Sequence, residues 1–342
     1  MPIEAMVDLT GGLAERYEIA KMQENLYDFI RRSFSANAFI TCSRKGDWRQ
    51  AHASDVNGLV QGHAYTITGI YRIYLDDVLR YLVRIRNPWG DNNEWKGRID
   101  FTKNFNFTKF FPFSLGEWSD KHENWNKVDE ETRHKIGLRY KADGEFWMDY
   151  FKDFVHEFEE VSICTMGPDF DHDGQVDNAQ CTITLHGSWI ANVNAGGCRN
   201  NFELFATNPK YKLSVMHETN QVSIFFHDFF DIQNFKIFVI FSLQVIVSLA
   251  QRKVPGNKLH QIGFTIYEAN DTNSYDAEHL KSTKALATSG SYINYREIFG
   301  RFILFQGHYI VIPATFAPNT EAEYLLRIFS QEKITLTELN KS

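Results

Sequence analysis

The hydrophobic residues repeat with helical spacing in two stretches of the chain and with strand-like enrichment in a third. Near the start, four apolar residues at i, i+3, i+4 and i+8 would share one helix face: Leu26, Phe29, Ile30 and Phe34. Residues 145–160 carry a broad apolar face and predict a second helix, which the acidic start Asp143-Gly144-Glu145 would favour. Residues 63–87 are rich in Tyr, Ile, Thr, Val and Leu around Leu75-Asp76-Asp77, which predicts two strands joined by a turn.

The pattern changes after Cys164, where short β-like runs alternate with turn-rich segments. The runs are residues 181–185, 261–268, 301–305, 309–312 and 324–329. Their spacing predicts an antiparallel β-sandwich, so the whole chain is expected to be α+β. We place the domain boundary near residues 163–168, which gives a first domain at 1–163, a second at 164–332 and a tail at 333–342.

One strongly apolar stretch, residues 235–250, could be mistaken for a membrane span. It contains Lys236 and Gln244, and it is shorter than the roughly 20 residues that a spanning helix needs. A pair of buried strands is the favoured interpretation.

Composition excludes several function classes. The 342 residues include 43 acidic and 36 basic side chains, a net charge of −7, which argues against nucleic acid as a partner. The four cysteines form no CxxC pair, so neither a disulfide scaffold nor a multi-cysteine zinc site is expected. The first residues resemble no secretory signal, so we expect a cytoplasmic, reducing location.

The candidate chemistry lies at the ends of the predicted hairpin. His63 and Asn87 are equidistant from residue 75, so they should be neighbours across the strand pair. An Asn oxygen beside an imidazole can accept its N–H and fix the tautomer, which leaves the other ring nitrogen to act as a base toward a thiol. Trp89 could shield this hydrogen bond from water. The alternative is an ordinary hairpin with a surface His and a turn-forming Asn-Pro.

The flanking sequence strongly resembles the calpain family of intracellular, calcium-dependent cysteine proteases. The resemblance rests on residues 58–69 (GLVQGHAYTITG) and 84–90 (RIRNPWG). Other matching motifs follow in the family's order: 4–12 (EAMVDLTGG), 143–148 (DGEFWM), 195–200 (AGGCRN), 208–209 (NP) and 313–316 (PATF). The resemblance implies the antiparallel β half of a papain-like protease core with flanking helices, followed by a C2-like β-sandwich.

The resemblance also implies roles for individual residues. His63 would be the general base, Asn87 its orienting partner, and Trp89 the shielding indole. The calcium (Ca2+) ligands of this subdomain would be Glu94, Asp120, the Lys141 carbonyl, Asp143 and Glu145. Four carboxylates and a carbonyl suit a hard ion that takes six to eight oxygens. The alternative for these acids is a solvated acidic surface.

The nucleophile of the family is missing from this sequence. Calpains carry their Cys before a Trp on an earlier subdomain, whereas Cys42, Cys164, Cys181 and Cys198 are followed by Ser, Thr, Thr and Arg. Cys42 precedes His63 by 21 residues, against about 130 or more in papain-type enzymes, and it should lie in the core. We therefore expect no peptidase activity from this polypeptide alone. It is either part of a longer protease or active only when the missing half is supplied. A non-catalytic, calcium- or phospholipid-responsive module, a pseudoprotease, is the alternative.

Two Phe-rich segments interrupt the resemblance. Six of the 29 Phe lie between Phe101 and Phe113, and seven lie between Phe225 and Phe241. Residues 97–116 and 222–242 are either read-through non-coding sequence or lineage-specific insertions, or simply Phe-rich core strands.

A last motif, Asp169-Phe170-Asp171-His172-Asp173-Gly174, matches the opening of an EF-hand loop, but Gln180 stands where the bidentate Glu belongs. Without convincing flanking helices, a solvated acidic loop is favoured, although it could still bind calcium or help the sandwich meet anionic lipid. The expected partners are protein substrates or a nucleophile-bearing protease subdomain. No nucleic acid and no regulatory small subunit are expected.

Overall fold

The chain divides into two compact units, Met1–Val176 and Asp177–Ser342. The computed structural model describes residues 2–44, 46–47, 49, 54–55, 57–90, 94–97, 117–141, 143–216, 242–269 and 275–339. Both Phe-rich segments, apart from Gly97 and Ser242, lie outside the described residues, so the structure does not bear on their origin.

The first unit is built on a six-stranded antiparallel sheet in the order β1-β6-β2-β3-β4-β5. Its strands are β1 (Leu13–Glu18), β2 (Phe39–Ser43), β3 (Ala64–Leu75), β4 (Val78–Arg86), β5 (Glu145–Asp149) and β6 (Glu160–Thr165). Its helices are α1 (Pro2–Thr10), α2 (Gln23–Ser35), α3 (Glu130–Lys135) and α4 (Val155–Glu157), with 3₁₀ turns at Ile19–Lys21 and Glu123–Lys127.

Helix α2 confirms the first periodic pattern, because Leu26, Phe29 and Ile30 are buried in one core cluster with residues of the sheet. The second predicted helix is wrong over much of its length. Residues 145–149 form strand β5, followed by a π-helical turn, Tyr150–Phe154, and the short α4.

The reason for this difference is that β5 is buried on both faces. Phe146 and Met148 enter the core cluster that contains α2, whereas Trp147 packs in a second cluster with Trp118 and Trp125. A strand that is buried on both faces is apolar throughout, and its sequence cannot be told from a buried helix by periodicity.

The second unit consists of a five-stranded sheet, β11-β10-β13-β8-β15, and a four-stranded sheet, β12-β9-β14-β7, which share one hydrophobic core. This is the antiparallel sandwich that the sequence predicts, and the α+β class is confirmed. The strands are β7 (Cys181–Trp189), β8 (Tyr211–Val215), β9 (Ser242–Gln251), β10 (Ile262–Glu268), β11 (Ala287–Thr288), β12 (Glu297–Phe305), β13 (Gly307–Thr315), β14 (Ala322–Ser330) and β15 (Ile334–Glu338). Two short helices are α5 (Phe202–Phe205) and α6 (Ala277–Ser282).

The predicted tail is corrected by the structure, because residues 334–338 form strand β15. This strand pairs with β8 from Ile334 opposite Val215 to Glu338 opposite Tyr211, and Ile334 belongs to the sandwich core. The apolar stretch before Gln251 ends in strand β9, while its residues 235–241 lie outside the described part. No helix within the described ranges has the length and apolar character that a membrane crossing requires.

Candidate active site

Strands β3 and β4 carry the candidate dyad at their open end. His63 immediately precedes β3, and Asn87 immediately follows β4. The backbone fixes both positions, because the His63 carbonyl accepts the Arg44 N–H at 3.0 Å and the Asn87 N–H donates to the Gly144 carbonyl at 2.8 Å. Each residue is thus held by a segment outside the hairpin.

The hairpin register differs from the one deduced from the sequence. The turn is centred between Asp76 and Asp77, both with positive φ, and Leu75 pairs with Val78. A bulge between Ile67 and Gly69 then shifts the ladder by one residue. His63 and Asn87 are therefore not direct cross-strand partners. Their side chains meet where the chain leaves the ladder after Arg86 and turns, with the Gly90 N–H donating to the Asn87 carbonyl.

The dyad is joined by a hydrogen bond between His63 Nε2 and Asn87 Oδ1, which lie 3.0 Å apart. The same oxygen accepts the Trp89 backbone N–H at 3.1 Å. A backbone N–H can only donate, so this atom of the fully buried Asn87 must be an acceptor and His63 Nε2 must carry the hydrogen. In the neutral imidazole, Nδ1 therefore holds the lone pair that a general base needs.

Two aromatic rings flank the imidazole. The Trp89 ring centroid lies 4.5 Å from that of His63, and Tyr65 meets the imidazole edge-on at 5.0 Å. Trp89 itself is 45% exposed, whereas Tyr65 is buried. The indole therefore shields one side of the imidazole, and Tyr65 forms part of the hydrophobic core beneath it.

The thiols of this chain do not fit the role of nucleophile. Cys42, Cys164 and Cys198 are buried, and Cys181 is half-buried in the second unit. Cys42 is 1% exposed in strand β2, and burial raises its pKa well above the ordinary value. A reactive cysteine needs the opposite, a lowered pKa and partial exposure. A base without an accessible thiolate cannot form an acyl-enzyme.

The predicted calcium ligands form one group of interacting acids beside the dyad. Glu94 Oε1 accepts the Gly144 N–H at 3.1 Å, and Asp143 Oδ1 accepts the Glu145 N–H at 3.2 Å. Asp120 interacts electrostatically with Glu94, Asp143 and Glu145. Their charges therefore interact, although no three of these carboxylates, all within the described residues, have oxygens within 4.8 Å of one another.

Asp120 provides the test of whether these residues fit a hard cation. It is 7% exposed, and its Oδ2 is buried without a hydrogen-bond partner in the described part of the chain. Burial, together with the negative charge of Glu94, raises the pKa of Asp120 from its ordinary 3.8 to about 7. Burial also raises the pKa of Glu94. A buried, unsatisfied carboxylate among like charges fits a bound cation.

The other two members of the predicted set have protein partners. Glu145 Oε1 accepts the Thr68 hydroxyl at 2.7 Å and lies 3.5 Å from Arg84 Nε. The Lys141 backbone is close enough to Asp120 to lower the pKa of that carboxyl, against the larger effect of burial. The role of the Lys141 carbonyl as a ligand stays a prediction.

The EF-hand-like loop is more ordered than a solvated loop would be. Asp169 is 1% exposed, and its two oxygens accept the N–H groups of Asp173 and Gly174 at 3.0 and 2.9 Å. The Arg32 side chain of α2 donates to the Asp173 carbonyl. Asp171 remains exposed, and Asp173 is half-buried. The buried Asp169 thus serves to hold the loop closed.

Sequence reasoning missed residues that position the dyad. The Arg44 side chain donates to Asp55, to the Leu59 carbonyl and to Glu157 at 2.8, 2.8 and 3.2 Å, and so anchors the loop before His63. Its partly buried ion pairs join the end of β2 to Asp55 and Glu157, so no local motif signals them. In the sequence, Gly144 is only the middle residue of an Asp-Gly-Glu motif. Its hydrogen bonds to Glu94 and Asn87 cannot be deduced from that motif.

Comparison with known families gives two matches. A sequence model described as "Calpain family cysteine protease" matches residues 1–104 and 113–165, and its gap falls within the first Phe-rich segment. A second, "Calpain large subunit, domain III", matches residues 185–329.

Curated relatives resemble the chain over nearly its whole length. Calpain clp-1 of Caenorhabditis elegans is 33% identical over 98% of this chain and 40% of its own length. Calpain-9 of Rattus norvegicus is 33% identical over 99% of this chain and 44% of its own, and Calpain-B of Drosophila melanogaster 32% over 98% and 34%. The chain thus spans about two-fifths of the length of these relatives.

Proposed function

Because this chain belongs to the calpain family, we propose that it supplies the base-bearing half of a cysteine endopeptidase site. In this proposal His63 takes the proton of a thiol through Nδ1, and Asn87 holds the ring in the required tautomer. The thiol would come from a nucleophile-bearing protease subdomain outside this sequence, and protein chains would be the substrates.

The observation that carries the proposal is the hydrogen bond at His63 Nε2. The oxygen that accepts it is identified by the Trp89 N–H, so the ring can present an unprotonated nitrogen only at Nδ1. Cys42, the one cysteine with the right chain order, is buried with a raised pKa. These two observations support a site in which this chain supplies the base and another polypeptide segment supplies the thiol.

The test supplies the missing half. The full chain is mixed with a separately produced first protease subdomain of a calpain, which carries the catalytic Cys, and casein cleavage is measured with calcium and with EGTA. We expect calcium-dependent cleavage by the wild-type mixture and none with His63→Ala. A Cys42→Ala variant should cleave like wild type. Cleavage that survives His63→Ala, or that is lost with Cys42→Ala, would overturn the assignment.

We further propose that Glu94, Asp120, Asp143 and Glu145 bind calcium. The cation would supply the partner that the buried Oδ2 of Asp120 lacks among the described residues. This proposal also supports the second candidate function, a non-catalytic calcium-responsive module. The two are separated by the casein assay, because a binding module would take up calcium without turnover.

Calcium binding can be measured directly with terbium, a luminescent calcium substitute. Trp118 is buried two residues from Asp120, and its ring centroid lies 4.9 Å from that of Trp125, so indole excitation should sensitise a bound terbium ion. We expect luminescence that calcium displaces and that Asp120→Asn abolishes. Undiminished luminescence in that variant would place the ion elsewhere.

A further inference from the structure

Gly144 is hydrogen-bonded through both of its backbone polar groups. Its N–H donates to Glu94 Oε1 at 3.1 Å, and its carbonyl accepts the Asn87 N–H at 2.8 Å. Asn87 Oδ1 in turn lies 3.0 Å from His63 Nε2. A continuous chain of three hydrogen bonds therefore links the carboxylate of Glu94 to the imidazole.

From this geometry we propose that Glu94 is a positioning residue for Asn87, acting through Gly144. The inference rests on the proposed function of the His63–Asn87 dyad. Without the Glu94 acceptor, Gly144 is free to shift, and the position of Asn87 changes with it.

We call these three hydrogen bonds the relay. Gly144, in the middle of the relay, has a fixed backbone geometry. Gly144 has φ +81°, a left-handed conformation that side chains disfavour. This conformation directs the N–H of one residue toward Glu94 while its carbonyl faces Asn87. A shift of Gly144 toward either partner therefore lengthens the bond to the other.

The Glu94 end of the relay is anchored to the protein. A Cβ on Gly58, which has φ +84°, would lie 1.8 Å from the Glu94 carbonyl oxygen, so the two backbones are in close contact. The next residue, Trp95, is 2% exposed, and the Lys96 N–H donates to the Asn57 carbonyl at 2.9 Å. The Glu94 backbone therefore cannot simply follow a movement of Gly144.

At the other end of this hydrogen-bond chain, Asn87 is shielded from solvent. Asn87 is fully buried, so water cannot replace a lost bond to its N–H without a local opening. Its carbonyl also accepts the Gly90 N–H at 3.0 Å, which ties it to the turn that carries Trp89. A displacement of Asn87 must alter its hydrogen bond to His63, because the Oδ1 atom of Asn87 takes part in that bond and also accepts the Trp89 N–H.

The test compares variants of Glu94 that separate its charge from its hydrogen bond. Glu94→Gln removes the charge but keeps an oxygen at the same reach, whereas Glu94→Asp keeps the charge but is one methylene too short to reach Gly144. Glu94→Ala removes both. Asp120→Asn is the matched control, because it changes the same acidic cluster without touching Gly144.

The readouts are amide hydrogen exchange at Asn87 and Gly144 and the imidazole ¹⁵N shifts of His63. They are recorded on the full ¹⁵N-labelled chain in EGTA. We expect exchange at both amides to speed up about fivefold or more in Glu94→Asp and Glu94→Ala, with a moved His63 signal. Neither Glu94→Gln nor Asp120→Asn should exchange faster than wild type, and neither should move the His63 signal.

Wild-type exchange and unchanged His63 shifts in Glu94→Asp would overturn the proposal. So would equal changes in Asp120→Asn, which would indicate general loosening of the acidic cluster. If Glu94→Ala does not fold, the Asp and Gln pair still decides the question. The measurement uses no catalytic thiol, substrate or calcium, so its failure is distinguishable from a failure of the casein assay.

Discussion

Replacing Asp120 by Asn should stabilise the first unit without calcium and abolish its response to calcium. The folded unit holds the pKa of Asp120 at about 7 rather than 3.8, mainly through burial and then through the charge of Glu94. At 1.36 kcal/mol per pH unit, ionising Asp120 in the folded unit costs on the order of 4 kcal/mol of stability above pH 7.

The sign of this effect sets its pH dependence. Because the folded pKa is raised, the stability associated with protonated Asp120 is fully present below pH 3.8 and is lost as pH rises to about 7. The Asn variant lacks this loss. In EGTA at pH 7.5, Asp120→Asn should therefore raise the unfolding midpoint of the first unit, by up to about 8–16 °C for a domain of this size.

The assay is thermal unfolding of the full chain, followed by Trp fluorescence in EGTA and in calcium. Wild type should gain stability with calcium, and Asp120→Asn should show no gain. Asp77→Asn is the control, since Asp77 is exposed in the hairpin turn and Asn tolerates its positive φ. A lower stability of Asp120→Asn than of wild type in EGTA, or a full calcium response in that variant, would contradict the assigned role of Asp120.

Three further predictions concern packing and reactivity. Gly58→Ala should cost the first unit more than about 2 kcal/mol in urea unfolding, because its Cβ would collide with backbone, whereas Gly11→Ala, also at positive φ but in open space, should cost about 1. Equal costs would refute the collision. Iodoacetamide should label half-buried Cys181 well before buried Cys42, as followed by peptide mass spectrometry; the reverse order would contradict the burial. Asn87→Ala should cost about 1–3 kcal/mol of stability and move the His63 ¹⁵N shifts. An unchanged spectrum would contradict the hydrogen bond between His63 and Asn87.

The sequence predicted the elements whose periodicity is set by one buried face. Helix α2 and strands β7 and β14 bury one face and appear as expected. Strands β10 and β13 were predicted from their β-like composition, although both of their faces are buried. Strand β5 was missed because both of its faces are buried, so its apolar residues follow neither period. Strand β15 was missed because its five residues pair with β8, far away in the chain.

The sequence indicates the residues of the candidate dyad but not their geometry. The family motifs named His63 and Asn87, yet the symmetric-hairpin argument gave the wrong register, because a bulge at Ile67 and Gly69 is not visible in the residue pattern. The Asn87 bond to Gly144 spans 57 positions and joins two backbone groups, so side-chain identity carries no signal of it. Only the fold brings these segments together.

We propose that His63 acts as the base for a thiol supplied by another segment. The most direct test of this proposal is the rate at which iodoacetamide alkylates the catalytic Cys of an added calpain first subdomain, measured against pH in complex with this chain. A thiolate paired with His63 should react with an apparent pKa below about 7, and His63→Ala should return it toward about 8.5. Identical pH profiles for wild type and His63→Ala would contradict the account.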